Sequence, residues 1–175
     1  VIPKGTFLTS TVELKSNVNL FLAKGAVLQG SPDPESYKNY KPTKNLDYLN
    51  TGGTGRNANN MNDARWTRAL VLGVGVSNVT ISGEGVIDGA HVFDPKGEEN
   101  MRGPHTVLLA ESRNVTMSGI TINRAANYAV TAYDVANLVF QNLTINEGWD
   151  GIHIRGGTNI LIRNCDFFTG DDAIA

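Results

Sequence analysis

Polar and apolar residues alternate in short runs along this chain, and the runs repeat. Asn78-Val79-Thr80-Ile81 returns as Asn114-Val115-Thr116-Met117, Asn137-Leu138-Val139-Phe140 and Asn159-Ile160-Leu161-Ile162. The last three copies start 23 and 22 residues apart. A lone short strand cannot bury its apolar side, whereas stacked copies can, so this period predicts a solenoid. Two more registers run in parallel. One is Gly119-Ile120-Thr121-Ile122, Asn142-Leu143-Thr144-Ile145 and Asn164-Cys165-Asp166-Phe167. The other is Thr106-Val107-Leu108-Leu109, Ala129-Val130-Thr131-Ala132, Gly151-Ile152-His153-Ile154 and Ala173-Ile174-Ala175. Each coil therefore offers three short β segments. Alternation turns Val130, Ala132, Ile152 and Ile154 inward, with Val115, Ile160, Cys165 and Ile174. It turns Thr131, Tyr133, His153 and Arg155 outward.

Helix does not fit, because apolar residues recur at two rather than at three or four. Val, Ile and Thr fill the segments, and Asn and Gly punctuate them. A leucine-rich repeat has a similar period but needs leucines at fixed offsets and a helical back, and neither is visible. The expected fold is all-β, a right-handed parallel β-helix with coils of 22–23 residues where no loop intervenes.

Two stretches break the rhythm. Residues 31–67 hold Pro32, Pro34, Pro42, Gly52-Gly53 and many Asn, and read as a long loop projecting from the coil. Loops this long without regular structure are often functional. Tyr37, Tyr40 and Trp66 within it have two readings, packing the loop onto the coil or contacting a sugar, and packing is preferred. Residues 91–103 form a second insertion, which widens the spacing from Asn78 to Asn114 to 36 residues.

Composition narrows the function. The formal charge is -2, which is not a nucleic-acid-binding surface. No apolar run is long enough to cross a membrane. Cys165 is the single cysteine, so no disulfide forms within the chain. Sequons occur at Asn78, Asn114 and Asn142, each at a repeat position where structural punctuation explains the asparagine. The first residues already lie inside the pattern and the last fall in mid-strand. Residues 1–175 are thus expected to be part of a single β-helix domain, cut at both ends.

The chemistry emerges when the coils are laid on each other. Asp172 falls in the register of Asp150, with Tyr128 and His105 in the same column further back. Asp171 falls under Trp149 and Asn127. Asp150 and Asp172 are then one rung apart, about 4.7–4.9 Å, with Asp171 beside them on the turn. Like charges this close need a proton or a cation. Such clusters suit sites that need one acid and one base. Glycoside hydrolysis is one such reaction, and its inverting form separates the two carboxyls by about 6.5–9.5 Å to admit water. Two other readings stay open. Asp is a common turn residue, and calcium is held by oxygen ligands. No cofactor or resident metal is expected. Outward Tyr133, His153 and Arg155, with Trp149, are candidate substrate contacts lining a groove.

These residues also carry a resemblance. Asn146-Glu147-Gly148-Trp149-Asp150-Gly151-Ile152, followed by Gly170-Asp171-Asp172, resembles the polygalacturonase family, glycoside hydrolase family 28. Ile2-Pro3-Lys4-Gly5-Thr6-Phe7, Leu14-Lys15-Ser16-Asn17-Val18, Gly83-Glu84-Gly85-Val86-Ile87-Asp88-Gly89 and, more loosely, Arg102-Gly103-Pro104 extend the likeness over nearly the whole chain. The resemblance implies a right-handed parallel β-helix that hydrolyses pectin or a related plant polysaccharide with inversion. It implies Asp171 as general acid, with Asp150 and Asp172 holding and activating water. Gly148-Trp149 replaces the family's Asn-Thr, and His153 stands where pectin-cleaving members commonly have another Asp. The family's later Gly-His-Gly and Arg-x-Lys motifs lie beyond Ala175. The resemblance further implies a polysaccharide or oligosaccharide substrate, which would contain uronate in pectin, and a secreted or periplasmic location.

Two rival classes are carried forward. A polysaccharide lyase or epimerase on the same scaffold would depend on calcium or leave an unsaturated product. A non-catalytic carbohydrate-binding β-helix would tolerate loss of all three aspartates.

Overall fold

The computed structural model describes residues 1–49 and 60–175. The chain winds as a right-handed parallel β-helix with three faces. The first face stacks Val12–Glu13, Ala69–Val74, His105–Ala110 and the opening halves of the long strands Val130–Gln141 and Ile152–Arg163. Those two strands bend and continue onto the second face, beside Arg113–Ser118, Ser77–Gly83 and Asn19–Leu22. The third face runs Gly5–Thr9, Ala26–Gly30, Val86–Asp88, Thr121–Asn123, Thr144–Asn146 and Asp166–Phe168. Every pairing on these faces is parallel.

The expected register holds. Val107, Val130 and Ile152 are successive partners, and a bridge carries the column on to Ile174. Val79, Val115, Leu138 and Ile160 form the matching column on the second face. These side chains meet Ile87, Ile122 and Ile145 from the third face in one continuous apolar core. Val115, Val130, Ala132 and Ile152 are fully enclosed, while Ile154, Ile160 and Cys165 pack partly against that core. Ile174 continues the inward column but is half exposed, since no coil stacks beyond it among the described residues.

The repeated asparagine has two physical reasons. Asn17, Asn78, Asn114, Asn137 and Asn159 all take a positive φ of 54–62°. Asn is among the few non-glycine residues that adopt this left-handed turn readily. Their amides also form a ladder, each Nδ2 donating to the Oδ1 of the residue one coil back, at 2.9–3.1 Å.

The long loop departs from expectation. Residues 50–59, with Gly52-Gly53, lie outside the described residues. The described part does not project but lies flat on the outer side of the first face. Tyr40, Leu46, Met61 and Trp66 pack there against Leu72, Leu108, Tyr128 and Tyr133, a second apolar cluster outside the coil. Tyr37 is buried too, in the main core. The polar anchors step along successive coils. Tyr40 Oη donates to Glu111 at 2.6 Å, Lys44 pairs with Asp134, and Arg155 donates to the Leu49 carbonyl at 3.4 Å. A buried ion pair between Arg68 and Asp94 ties the end of this loop to the second insertion. The second insertion itself turns back at Phe93–Glu98, which bridges to Arg102.

Candidate active site

The three aspartates sit where the third face turns into the first. The Tyr128 carbonyl accepts from Thr106, the Asp150 carbonyl from Ala129 at 2.9 Å, and the Asp172 carbonyl from Gly151 at 2.8 Å. Asp150 and Asp172 are therefore successive members of one column, behind Tyr128. Asp171 N–H donates to the Trp149 carbonyl at 3.2 Å, which sets Asp171 on the turn just ahead of that column. The turns approach closely because of two glycines. Gly148 has φ +102°, and a Cβ there would lie 2.7 Å from that of Ala125. A Cβ on Gly170 would meet the Gly148 carbonyl at 2.6 Å.

Asp150 is buried, whereas Asp171 and Asp172 are exposed. Asp150 Oδ2 lies 3.2 Å from His153 Nδ1, and Arg155 Nε donates to His153 Nε2 at 2.8 Å. Because the guanidinium can only donate, Nε2 is the accepting nitrogen and Nδ1 carries the proton toward Asp150. The imidazole is clamped between a stacked Tyr128 ring at 4.8 Å and the edge of Trp66 at 6.3 Å. Behind them His105 is sealed in. Its Nε2–H donates to the Trp66 carbonyl at 2.9 Å, and burial pushes its pKa down to about 3.

On the turn side, the Arg102 guanidinium lies over the Trp149 ring at 4.0 Å, close enough for a cation–π contact. Arg102 also pairs with Glu99 at 2.7 Å and approaches Glu98 at 3.9 Å. Glu98 is buried and accepts from Asn127 Nδ2 at 3.2 Å. Burial raises its pKa, against the Asn127 bond and the Arg102 charge. A pocket of about 520 Å³ opens beside this group, with Trp149, Gly148, Gly170, Glu147 and Phe168 in its wall. Among the described residues, no set of three His, Cys, Asp or Glu side chains is arranged to hold a metal ion.

The structure redraws the predicted substrate contacts. Tyr133 does face away from the coil interior, but it is fully buried, and its hydroxyl accepts from Trp66 Nε1. It cannot meet a sugar, because the loop covers it. His153 is 9% exposed, with both ring nitrogens already engaged, so it serves the protein interior. Arg155 is partly buried and committed to His153 and Leu49. Trp149 remains at the surface, half-buried in the wall of the pocket. Of the four predicted substrate contacts, Trp149 is thus the one that faces a pocket. Arg102, Glu98 and Asn127 were absent from the predicted site. Arg102 was noted only beside Pro104, and Asn127 only as a register partner of Asp171. Glu98 lies in an insertion with no repeat to align it.

Residues 36–175 match the model of Glycosyl hydrolases family 28. The chain belongs to this family. A probable polygalacturonase from Vitis vinifera is 29% identical over 99% of this chain and 35% of its own length. Among solved structures, a family 28 exopolygalacturonase from Yersinia enterocolitica superposes with TM-score 0.76 at 22% identity, covering 98% of this chain and 38% of that one. A polygalacturonase from Erwinia carotovora ssp. carotovora gives TM-score 0.75 at 21% identity, covering 97% and 47%. The structural matches carry the fold. The chain spans about a third of the length of the curated relatives it matches. Among the described residues, no helix is long and apolar enough to cross a membrane.

Proposed function

We propose that this family 28 chain is part of the catalytic β-helix of an inverting glycoside hydrolase that cleaves pectin or a related plant polysaccharide. The observation that carries the reading is the column Tyr128, Asp150, Asp172 with Asp171 on the adjoining turn. In this reading Asp171 gives its proton to the leaving glycosidic oxygen, and Asp150 and Asp172 hold and activate water on the opposite side of the sugar. The environments support a division of labour. Asp150 is enclosed and receives a hydrogen bond from His153, whereas Asp171 stands on the turn next to Gly170, which lines the Trp149 pocket. Trp149, stacked under Arg102, offers a ring face to the sugar. The names of the relatives support a polygalacturonan-like substrate, and a polymer of that size supports a secreted enzyme.

The test is proton NMR of the first reducing product, taken before mutarotation, with the full-length protein. Inverted configuration is expected. Retained configuration would remove the water-holding role from Asp150 and Asp172. A 4,5-unsaturated end would replace hydrolysis by lyase chemistry.

A further inference from the structure

We infer that Arg102 is a positioning residue, which fixes through the Trp149 ring the turn that carries Asp150 and Asp171. The inference rests on the glycoside hydrolase reading, and it gives the second insertion a part in that reaction.

Trp149 links the two aspartates. A peptide bond joins it to Asp150, and its carbonyl accepts from the Asp171 N–H at 3.2 Å. Any shift of Trp149 is therefore passed to both carboxyls. Its own N–H donates to the Asn127 carbonyl on the coil before at 3.4 Å, a long bond. Gly148, just ahead of it, has φ +102° and no side chain to restrain the backbone. Backbone bonds alone hold this turn loosely.

Arg102 supplies a second hold. Its guanidinium lies 4.0 Å from the centre of the Trp149 ring. Nε and Nη2 both reach Glu99, at 2.9 and 2.7 Å, which sets the plane of the guanidinium. Nη1 lies 3.9 Å from Glu98, whose carboxylate also accepts from Asn127 Nδ2 at 3.2 Å. The contacts close on themselves. Arg102 covers the Trp149 ring, Glu98 joins Arg102 to Asn127, and Asn127 takes the Trp149 N–H. The insertion that carries Arg102 is itself tightly folded. Phe93 and Glu98 both bridge to Arg102, and a Cβ on Gly97 would lie 2.0 Å from the Arg102 carbonyl. A Cβ on Gly103 would lie 2.2 Å from the carbonyl of Val92.

Glu98, Asn127 and Arg102 are all buried. A buried charged pair contributes little net stability over apolar side chains of the same volume. What this one provides is orientation, since a guanidinium is flat, stacks on aromatic faces and is held by fixed donors. The neighbouring pocket is walled by Trp149 and Met101 but not by Arg102. The guanidinium thus supports the ring without filling the space open to a sugar.

The experiment is a double-mutant cycle in the full-length protein, reading kcat and KM on polygalacturonate. Arg102→Lys keeps a charge beside Glu98 and Glu99 but loses the flat group that lies on the ring. Trp149→Leu removes the ring. In Arg102→Lys, kcat should fall by about ten- to a hundredfold, the scale of a small misplacement of reacting groups. Its urea midpoint should stay near that of the parent. Adding Arg102→Lys to Trp149→Leu should lower kcat no further, because the two residues act through one contact. Losses that multiply, or a folded Arg102→Lys with unchanged kcat, would overturn the inference and leave the hydrolase reading intact. If Arg102→Lys does not fold, Glu99→Ala decides instead. Glu99 is exposed, so its loss frees the guanidinium without opening the core, and kcat should fall. Unchanged kcat there would overturn the inference too. No release of reducing ends by the parent protein from any pectic polymer would remove the hydrolase reading, and this inference with it.

Discussion

His153 donates its Nδ1 proton to Asp150 because Arg155 occupies its other ring nitrogen. The relationship crosses only three residues, yet it depends on a strand that turns both side chains to the same outer surface. It fixes the tautomer and the ring plane together. Replacing His153 by Phe would keep the stack on Tyr128 and remove the donor. Turnover should fall by about 10²-fold, the scale of a small misplacement of a reacting group, with KM nearly unchanged. Steady-state kinetics of the full-length variant would measure this, and unchanged turnover would separate His153 from the reaction.

His105 makes a pH prediction. Burial lowers its pKa from 6.5 to about 3, and neighbouring His153, Arg102 and Arg155 push the same way against the Trp66 carbonyl. The unfolded chain binds the proton near pH 6.5 and the folded chain only near pH 3. Between these values the unfolded state holds more protons, so stability falls as pH drops from 6.5. Glu98, raised by burial, acts in the opposite sense, favouring the fold as pH falls through its raised value. His105→Gln keeps a donor for the Trp66 carbonyl but cannot take up a proton. Urea unfolding at pH 7 and pH 5 should show a larger loss in the parent protein than in the variant. Equal losses would contradict the assignment.

The coil was legible because its signal is periodic. Asn114, Asn137 and Asn159 align themselves, and alternation from each of them gives the inward side chains correctly. Asp150 and Asp172 could be paired for the same reason. The loop was legible in part: Tyr37, Tyr40 and Trp66 pack it onto the coil as expected, but the burial of Leu46 and Met61 and the extent of the cover follow no period. Facing outward from a strand was therefore equated with facing solvent, and Tyr133 was misjudged. The large aromatic side chains in an otherwise polar stretch signalled that the loop packs on the coil, but not that it covers Tyr133. The Glu98–Arg102 turn had no such signal, since its buried residues are charged and pair only in space.

The asparagine ladder separates two contributions to stability. Asn137 sits at φ 57°, donates to Asn114 at 2.9 Å and accepts from Asn159 at 3.0 Å. Ala loses both bonds and also strains the left-handed turn, which costs roughly 1–2 kcal/mol. Gly loses the bonds but relieves the turn. Asn137→Ala should therefore unfold at lower denaturant than Asn137→Gly, by about 1 kcal/mol in stability. Equal stability or the reverse order would show that the left-handed turn does not govern this position, since both variants lose the ladder bonds alike.

Ile152 tests the core phase. It is fully enclosed, partnered with Val130 in the strand before and bridged to Ile174 after. Ile152→Ala should destabilise the full-length protein by about 2–5 kcal/mol, the usual cost of such a truncation. Chemical denaturation would measure it. A change near zero would mean that the enclosed column does not carry packing energy at this coil.

The aspartates give the most direct test of mechanism. Asn keeps the size of each side chain and removes its capacity to donate or accept a proton as acid or base. General acid–base steps commonly contribute about 10²–10⁴-fold each, so every single Asn variant should lose turnover on that scale. The losses should differ in kind. Asp171→Asn removes the proton for the leaving oxygen, so substrates with a better leaving group should recover much of the lost rate. Asp150→Asn and Asp172→Asn impair the water, which a better leaving group does not replace. Asp150→Asn also faces a His153 donor across 3.2 Å, and an amide can meet that donor only with its oxygen. Turnover of an activated aryl glycoside against that of the polymer would read the distinction. Equal rescue of all three variants would dissolve the assignment of Asp171 as the acid, and full activity in all three would leave the aspartates as turn residues.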